Sequence, residues 1–125
     1  MGIDIYLRWQ GQTKEEEEAQ YTGFSVQHGH VGYLREAYHG GPYATKLLFP
    51  ETWNEDEQTA RIPNSVLRER MPKAIDAAVV RERTVYGVAD VTLETCEMAK
   101  SIQSFVELHG KLEQEGKDPW IYNSY

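Results

Sequence analysis

The chain has 125 residues, of which 40% are hydrophobic and 26% charged, a composition that fits one folded domain and excludes a disordered chain. Its 20 acidic and 13 basic side chains give a net charge of −7, which argues against a protein that coats DNA or RNA, because such a protein needs a basic face. Cys96 is the single cysteine, so no intramolecular disulfide can form. We expect one globular domain over residues 1–125 in a reducing, cytoplasmic compartment, without a nucleic-acid polymer as partner.

The first half of the chain predicts several strands and one short helix. Apolar and polar side chains alternate over residues 3–9, which is typical of a half-buried strand. Thr13 and Glu16 have the spacing of a capping box, so a short helix is predicted after Thr13. Residues 24–30 and 43–49 are each predicted to form a further strand.

The second half predicts two long helices and a last strand. Residues 51–60 are polar and are predicted to form an exposed loop. A helical apolar repeat begins after Asn64 and contains Pro72, which predicts either a kink or two abutting helices. A second helix is predicted from about Thr92, and residues 120–125 are rich in strand-forming side chains.

Strands that precede long helices favour an α+β fold. We expect a small mixed or antiparallel sheet, with two long C-terminal helices packed on one face and a final C-terminal strand. No leader sequence and no apolar run of about 18 residues is found, so we expect neither a secretory signal nor a membrane partner. Cys96 is predicted to be a packing residue within the second helix.

Groups that bind ligands are concentrated in residues 28–46, which contain three of the four histidines, three tyrosines and four glycines. The segment carries a net charge of +1 in an acidic chain, which favours a polar or anionic ligand. Its arginine offers paired donors to a phosphate or carboxylate, its tyrosines can stack on a base, and its paired glycines allow a close approach of the backbone. The same segment also fits a tight hairpin whose tyrosines cover the edge of the core. The predicted ligand site comprises Arg35, Tyr38, His39, Gly40, Gly41, Tyr43, Thr45, Lys46 and Arg83.

Two further features leave alternatives open. On a strand, His28 and His30 would point to the same side, and His39 or an acid such as Asp4 could complete a metal site that activates water. The same histidines can simply flank a glycine turn. Arg81 and Arg83, near the end of the first long helix, fit a solvated face, or one of them reaches over the sheet toward residues 28–46.

The opening Met1-Gly-Ile-Asp-Ile-Tyr6 and the run Gly32-Tyr-Leu-Arg-Glu-Ala-Tyr-His-Gly-Gly-Pro-Tyr-Ala-Thr45 resemble a group of small bacterial and phage-borne proteins. The resemblance is clearest in the first part of the chain. It brings no function with it and implies a prokaryotic or phage cytoplasmic setting.

Three functions follow as hypotheses. The first is a binding domain without chemistry or cofactor, which holds a small anionic, nucleotide-like molecule and, in a phage setting, sequesters a host signalling nucleotide. The second is a small metal-assisted hydrolase that uses His28 and His30. The third is a protein-interaction or homo-oligomerising domain, and we expect a homo-oligomer.

Overall fold

The computed structural model describes residues 2–22, 26–38, 40–84, 87, 90–92 and 94–125, with the backbone alone described at residues 26–28. The order of strands and helices along the chain gives an α+β fold, as predicted. The strands are β1 (Gly2–Arg8), β2 (Tyr33–Ala37), β3 (Thr59–Ala60) and β4 (Trp120–Ser124). The helices are α1 (Lys14–Ala19), α2 (Ala44–Leu48), α3 (Asn64–Thr84) and α4 (Glu97–Gln114), with two 3₁₀ helices at Val26–Val31 and Pro50–Thr52.

The four strands form one antiparallel sheet in the order β2-β1-β4-β3. In the two central pairings, Ile5 lies opposite Leu34 on β2, and Leu7 lies opposite Ile121 on β4. The first and last strands of the chain are therefore neighbours, which confirms the predicted return of the C-terminus to the sheet. β2 and β3 are the two edges.

The two faces of the sheet have different surroundings because side chains alternate along a strand. Ile3, Ile5 and Leu7 are fully buried and belong to one hydrophobic core together with apolar residues of α3 and α4. The two long helices thus cover this face, as predicted. Asp4 and Tyr6 lie on the opposite face.

The predicted capping box of α1 is confirmed. Thr13 Oγ1 accepts a hydrogen bond of 3.1 Å from the Glu16 N–H, and Glu16 Oε1 accepts one of 2.9 Å from the Thr13 N–H. The reciprocal bonds satisfy donors that would otherwise be left at the helix end.

The long helices differ from prediction at two points. α3 runs unbroken through Pro72, so two abutting helices are not found. α4 begins five residues later than predicted, because Thr92 O instead accepts hydrogen bonds from the N–H groups of Thr95 and Cys96 in a turn. Cys96 is fully buried, which confirms its packing role, and burial together with Glu82 raises the pKa of its thiol to about 11. Among the helices of the described ranges, none has the length and apolar character needed to cross a membrane.

The strand predicted at residues 24–30 is wrong where the structure describes it. Residues 26–31 form a 3₁₀ helix instead, and this helix packs against α4. Gly29 lies so close to α4 that a Cβ atom added to it would be 2.1 Å from Ser101 O. A contact with a distant helix therefore determines the local structure.

Candidate functional site

The residues predicted to form one ligand site lie on both faces of the sheet, because successive side chains of β2 point to opposite faces. Arg35 lies on the face opposite α3 and α4, where its Nη1 is 3.1 Å from Asp4 Oδ1. Tyr33, on the same face, donates a hydrogen bond of 2.6 Å to that oxygen. Burial and this bond raise the pKa of Tyr33, so its phenol stays protonated.

Glu36 points to the opposite face and is buried, with 5% of its surface exposed. Its carboxylate accepts hydrogen bonds from the N–H groups of Ala44 and Thr45, at 2.8 and 3.0 Å, and from Thr45 Oγ1 at 2.7 Å. A negative charge at the first turn of α2 favours the helix. The strand predicted over residues 43–49 is therefore wrong, because Glu36 caps a helix at this position from the neighbouring strand.

Arg81 is the buried cation that faces Glu36. Its Nε lies 3.8 Å from Glu36 Oε2, and its Nη groups donate to the carbonyls of Ala37, Gly40 and Pro42. These bonds fix the loop between β2 and α2 in place. The loop is thus held from its inner side by a residue of α3.

Of the two helix-end arginines, Arg81 and not Arg83 reaches the loop. Arg83 Nη2 instead donates a hydrogen bond of 2.9 Å to Val91 O, beyond the end of α3. The inclusion of Arg83 in the ligand site is a prediction that this contact does not support. Two positions along a helix differ by about 200° in direction, which is why the two arginines diverge.

A run of aromatic rings lies on the outer side of the same loop. Tyr38 meets Tyr43 edge to face with 6.1 Å between ring centroids, Tyr43 stacks on Trp53 at 5.8 Å, and Trp53 stacks on Tyr125 at 4.9 Å. We call these four residues the aromatic strip. Its outer rings are the accessible ones, since Tyr38 is 42% and Tyr125 is 37% exposed.

Positive charge accompanies the aromatic strip. Lys46 Nζ lies 5.7 Å from the Trp53 ring centroid, and Arg81 Cζ lies 4.7 Å from that of Tyr43, both within the range of cation–π contacts. Lys46 is exposed, whereas Arg81 is buried. Burial, followed by the charges of Tyr43, Tyr125 and Asp4, raises the pKa of Tyr38, so the tyrosine is neutral at physiological pH.

The structure assigns several of the predicted residues to the support of the site rather than to its surface. Thr45 is fully buried and bonded to Glu36. The Gly40 N–H donates a hydrogen bond of 3.0 Å to Tyr43 Oη, while Gly41 has open space around its Cα. His39 lies outside the described residues.

The structure does not show the strand geometry on which the metal hypothesis depends. His28 and His30 lie in a 3₁₀ helix and not on a strand, and neighbouring side chains of such a helix are about 120° apart, so residues two apart do not share a side. His30 borders a groove of about 380 Å³ between α1 and α4, while the His28 side chain and His39 fall outside the described part. Within the described ranges, no group of three or more His, Cys, Asp or Glu side chains could hold a metal ion.

Sequence reasoning missed Trp53 and Tyr125, which join the segment's tyrosines into one surface. Trp53 lies in a polar stretch whose composition predicts a loop, and Tyr125 follows the last strand. The available signal was the aromatic character of Trp53 within that polar stretch, since a large ring is seldom left fully exposed.

The comparisons with known proteins identify no relative of this chain. No protein-family model matches the chain, and no curated protein and no solved structure is similar to it.

Proposed function

We propose that the aromatic strip binds a small anionic, nucleotide-like molecule, and that the protein acts by holding this ligand rather than by transforming it. The single observation that carries the proposal is the stack of Tyr43, Trp53 and Tyr125 with Lys46 beside it. Stacked rings offer a further face to a planar ring, and an exposed ammonium group suits a phosphate.

The free faces of the strip decide where the planar part of the ligand binds. Trp53 already stacks on both Tyr43 and Tyr125, so we expect a base to extend the stack at Tyr125 or to pack against Tyr38. In proteins that bind single-stranded nucleic acids, each base that stacks on an aromatic ring contributes about 1–3 kcal/mol to the binding free energy. The buried Glu36–Arg81 pair keeps Tyr43 in place and so prepares the surface before the ligand arrives.

Calorimetry against a panel of mononucleotides and the matching nucleosides tests the proposal. We expect Tyr125→Ala to weaken nucleotide binding about tenfold or more, because it removes an end ring of the stack. Lys46→Gln is expected to abolish the preference for nucleotide over nucleoside. Tyr21→Ala, which removes an exposed tyrosine next to Tyr6, serves as the matched control and leaves binding unchanged. A folded protein that gives no heat with any nucleotide would overturn the proposal.

A second candidate is a contact between two copies of the chain through the same surface. Tyr38, Val80 and Tyr125 belong to the large hydrophobic side chains that are exposed among the described residues, and Val80 borders the loop at Gly40 and Gly41. Sedimentation would then give a dimer that Val80→Asp converts to a monomer. A wild-type monomer at every concentration would exclude this candidate.

A further inference from the structure

The aromatic strip has a limited supply of positive charge for a ligand. In the described part of the chain two bases make cation–π contacts with it, Lys46 and Arg81. Arg81 is more than nine-tenths buried, and its guanidinium group faces Glu36 and donates to loop carbonyls. Arg81 is therefore closed to a ligand, and the exposed ammonium group of Lys46 is left to meet a ligand's negative charge.

Two further arginines in the neighbourhood of the strip are already paired with carboxylates of the protein. Arg70 donates from Nη1 and Nη2 to the two oxygens of Glu51, which lies two residues before Trp53, at 2.8 Å each. Arg35 on β2 has its Nη1 3.1 Å from Asp4 Oδ1. The charge of each guanidinium group is thus largely cancelled by its partner, so neither adds much attraction for an anion at the strip.

A turn with three carboxylates follows Trp53 directly. The backbone of Asn54 pairs with that of Glu57, and the Asp56 N–H donates a hydrogen bond of 2.9 Å to Asn54 Oδ1. Glu55, Asp56 and Glu57 are exposed, and within the described ranges none of them forms a salt bridge. Since consecutive Cα atoms are about 3.8 Å apart, their Cα atoms lie within about 15 Å of that of Trp53. We call these three residues the acidic turn.

The sheet also directs the acidic turn toward the Tyr125 end of the strip. The turn leads through Gln58 into β3, which pairs antiparallel with β4, and Gln58 O accepts a hydrogen bond of 2.8 Å from the Asn123 N–H. Because paired strands run in opposite directions, Glu57 before Gln58 lies on the side toward which β4 continues to Tyr125. A ligand stacked at Tyr125 therefore has Lys46 as its cation and the unpaired carboxylates of the turn in its neighbourhood.

We propose that the aromatic strip selects a ligand with a single negative charge, a nucleotide of the phosphodiester class such as a nucleoside 3′,5′-cyclic monophosphate. The inference rests on the proposed function and names the charge of its ligand. A phosphodiester is matched by Lys46 alone, whereas a terminal phosphate monoester carries about 1.5–2 negative charges at neutral pH and a triphosphate carries more. The additional charge would meet the carboxylates of the acidic turn without a further accessible base, and like charges repel.

The test is calorimetry of the intact protein with the 3′,5′-cyclic monophosphate, the 5′-monophosphate and the 5′-triphosphate of one base, for adenine and guanine in turn. The buffer has low ionic strength and no divalent cation, because such cations would neutralise the phosphates. We expect affinity to fall in that order, with the triphosphate at least about tenfold weaker than the cyclic ester. The difference should shrink when salt is added, since salt screens the repulsion by exposed carboxylates.

One variant removes the charge of the acidic turn and keeps the size of its side chains, through Glu55→Gln, Asp56→Asn and Glu57→Gln together. We expect it to bring the affinity for the triphosphate to within about threefold of that for the cyclic ester, because the repulsion is gone. The matched control changes the net charge by the same amount at exposed positions of α1 and α4, through Glu15→Gln, Glu18→Gln and Glu107→Gln. It should keep the wild-type preference.

The outcomes separate this inference from the proposed function. Equal or tighter binding of the triphosphate by the wild-type protein would overturn the inference alone, and so would a full preference in the variant of the acidic turn. A control that loses the preference as well would assign it to the net charge of the whole protein, which also contradicts the inference. If no cyclic ester, monophosphate or triphosphate binds, the inference and the proposed function both fail.

Discussion

Arg81 and Glu36 can remain inside the protein because each finds several partners there. The carboxylate accepts three hydrogen bonds from α2, and the guanidinium group donates to three carbonyls of the adjoining loop. Buried charges are tolerated when they are paired and hydrogen-bonded in this way. These two residues therefore connect the interior of the protein to the aromatic strip on its surface.

Glu36→Gln should lower the free energy of unfolding by about 3 kcal/mol, because it leaves Arg81 as a buried charge without its partner and turns an amide N–H toward the donors of α2. Urea denaturation at neutral pH measures the change. Glu107→Gln, an exposed substitution on α4, should leave the midpoint in place. A loss below about 1 kcal/mol would mean that the carbonyl partners alone hold Arg81.

At the scale of elements, contacts distant in sequence decide the structures that local patterns did not predict. α2 is a helix because the Glu36 carboxylate, on the neighbouring strand, accepts hydrogen bonds from its first N–H groups. Residues 26–31 form a 3₁₀ helix whose Gly29 touches α4. A strand was predicted in both places, and tertiary packing prevailed over propensity.

Gly29→Ala should destabilise the protein by at least about 2 kcal/mol, because the new Cβ would lie 2.1 Å from Ser101 O and the 3₁₀ helix would have to move away from α4. Chemical denaturation of the variant gives the value. Gly41→Ala is the matched control, since its added Cβ meets nothing within 4 Å. Equal stability of the two variants would show that the 3₁₀ helix packs loosely.

His109 in α4 makes the stability depend on pH. It is fully buried beside Asn64, and burial lowers its pKa below the ordinary value of 6.5. Below pH 6.5 the unfolded chain binds a proton at His109 that the folded protein does not bind, so the free energy of unfolding falls as the pH is lowered. Above that pH the histidine is neutral in both states, and it makes no further change to the stability.

The prediction is a lower unfolding free energy at about pH 5.5 than at about pH 7.5, with a smaller difference in His109→Gln. Urea titrations at the two pH values provide the comparison. Gln103→Ala, which changes an exposed and uncharged side chain of α4, should keep the wild-type difference. If His109→Gln also keeps it, another group is responsible for the acid sensitivity.

At the scale of the whole molecule, the α+β class, the first and last strands and the two long helices could be predicted, because each has a long regular apolar pattern. Tyr38, Tyr43 and Lys46, which form or border the aromatic strip, were also identified as candidate site residues, whereas Arg35 pairs with Asp4 elsewhere on the sheet. Their partners Trp53 and Tyr125 could not be predicted, since they meet only where the C-terminus returns to the sheet. Likewise, which of Arg81 and Arg83 reaches the loop between β2 and α2 depends on how α3 is rotated against the sheet.

The central claim is that a planar anionic ligand binds at the aromatic strip, and the most direct measurement is a nitrogen-15 NMR titration of the tryptophan indole signals with mononucleotides. The chain has three tryptophans, so the spectrum is simple, and Trp53→Phe identifies the signal of Trp53. We predict that a nucleotide shifts the Trp53 signal in a saturable way and leaves those of Trp9 and Trp120 in place. No shift at Trp53 with any nucleotide, or a shift at Trp120 alone, would contradict the account.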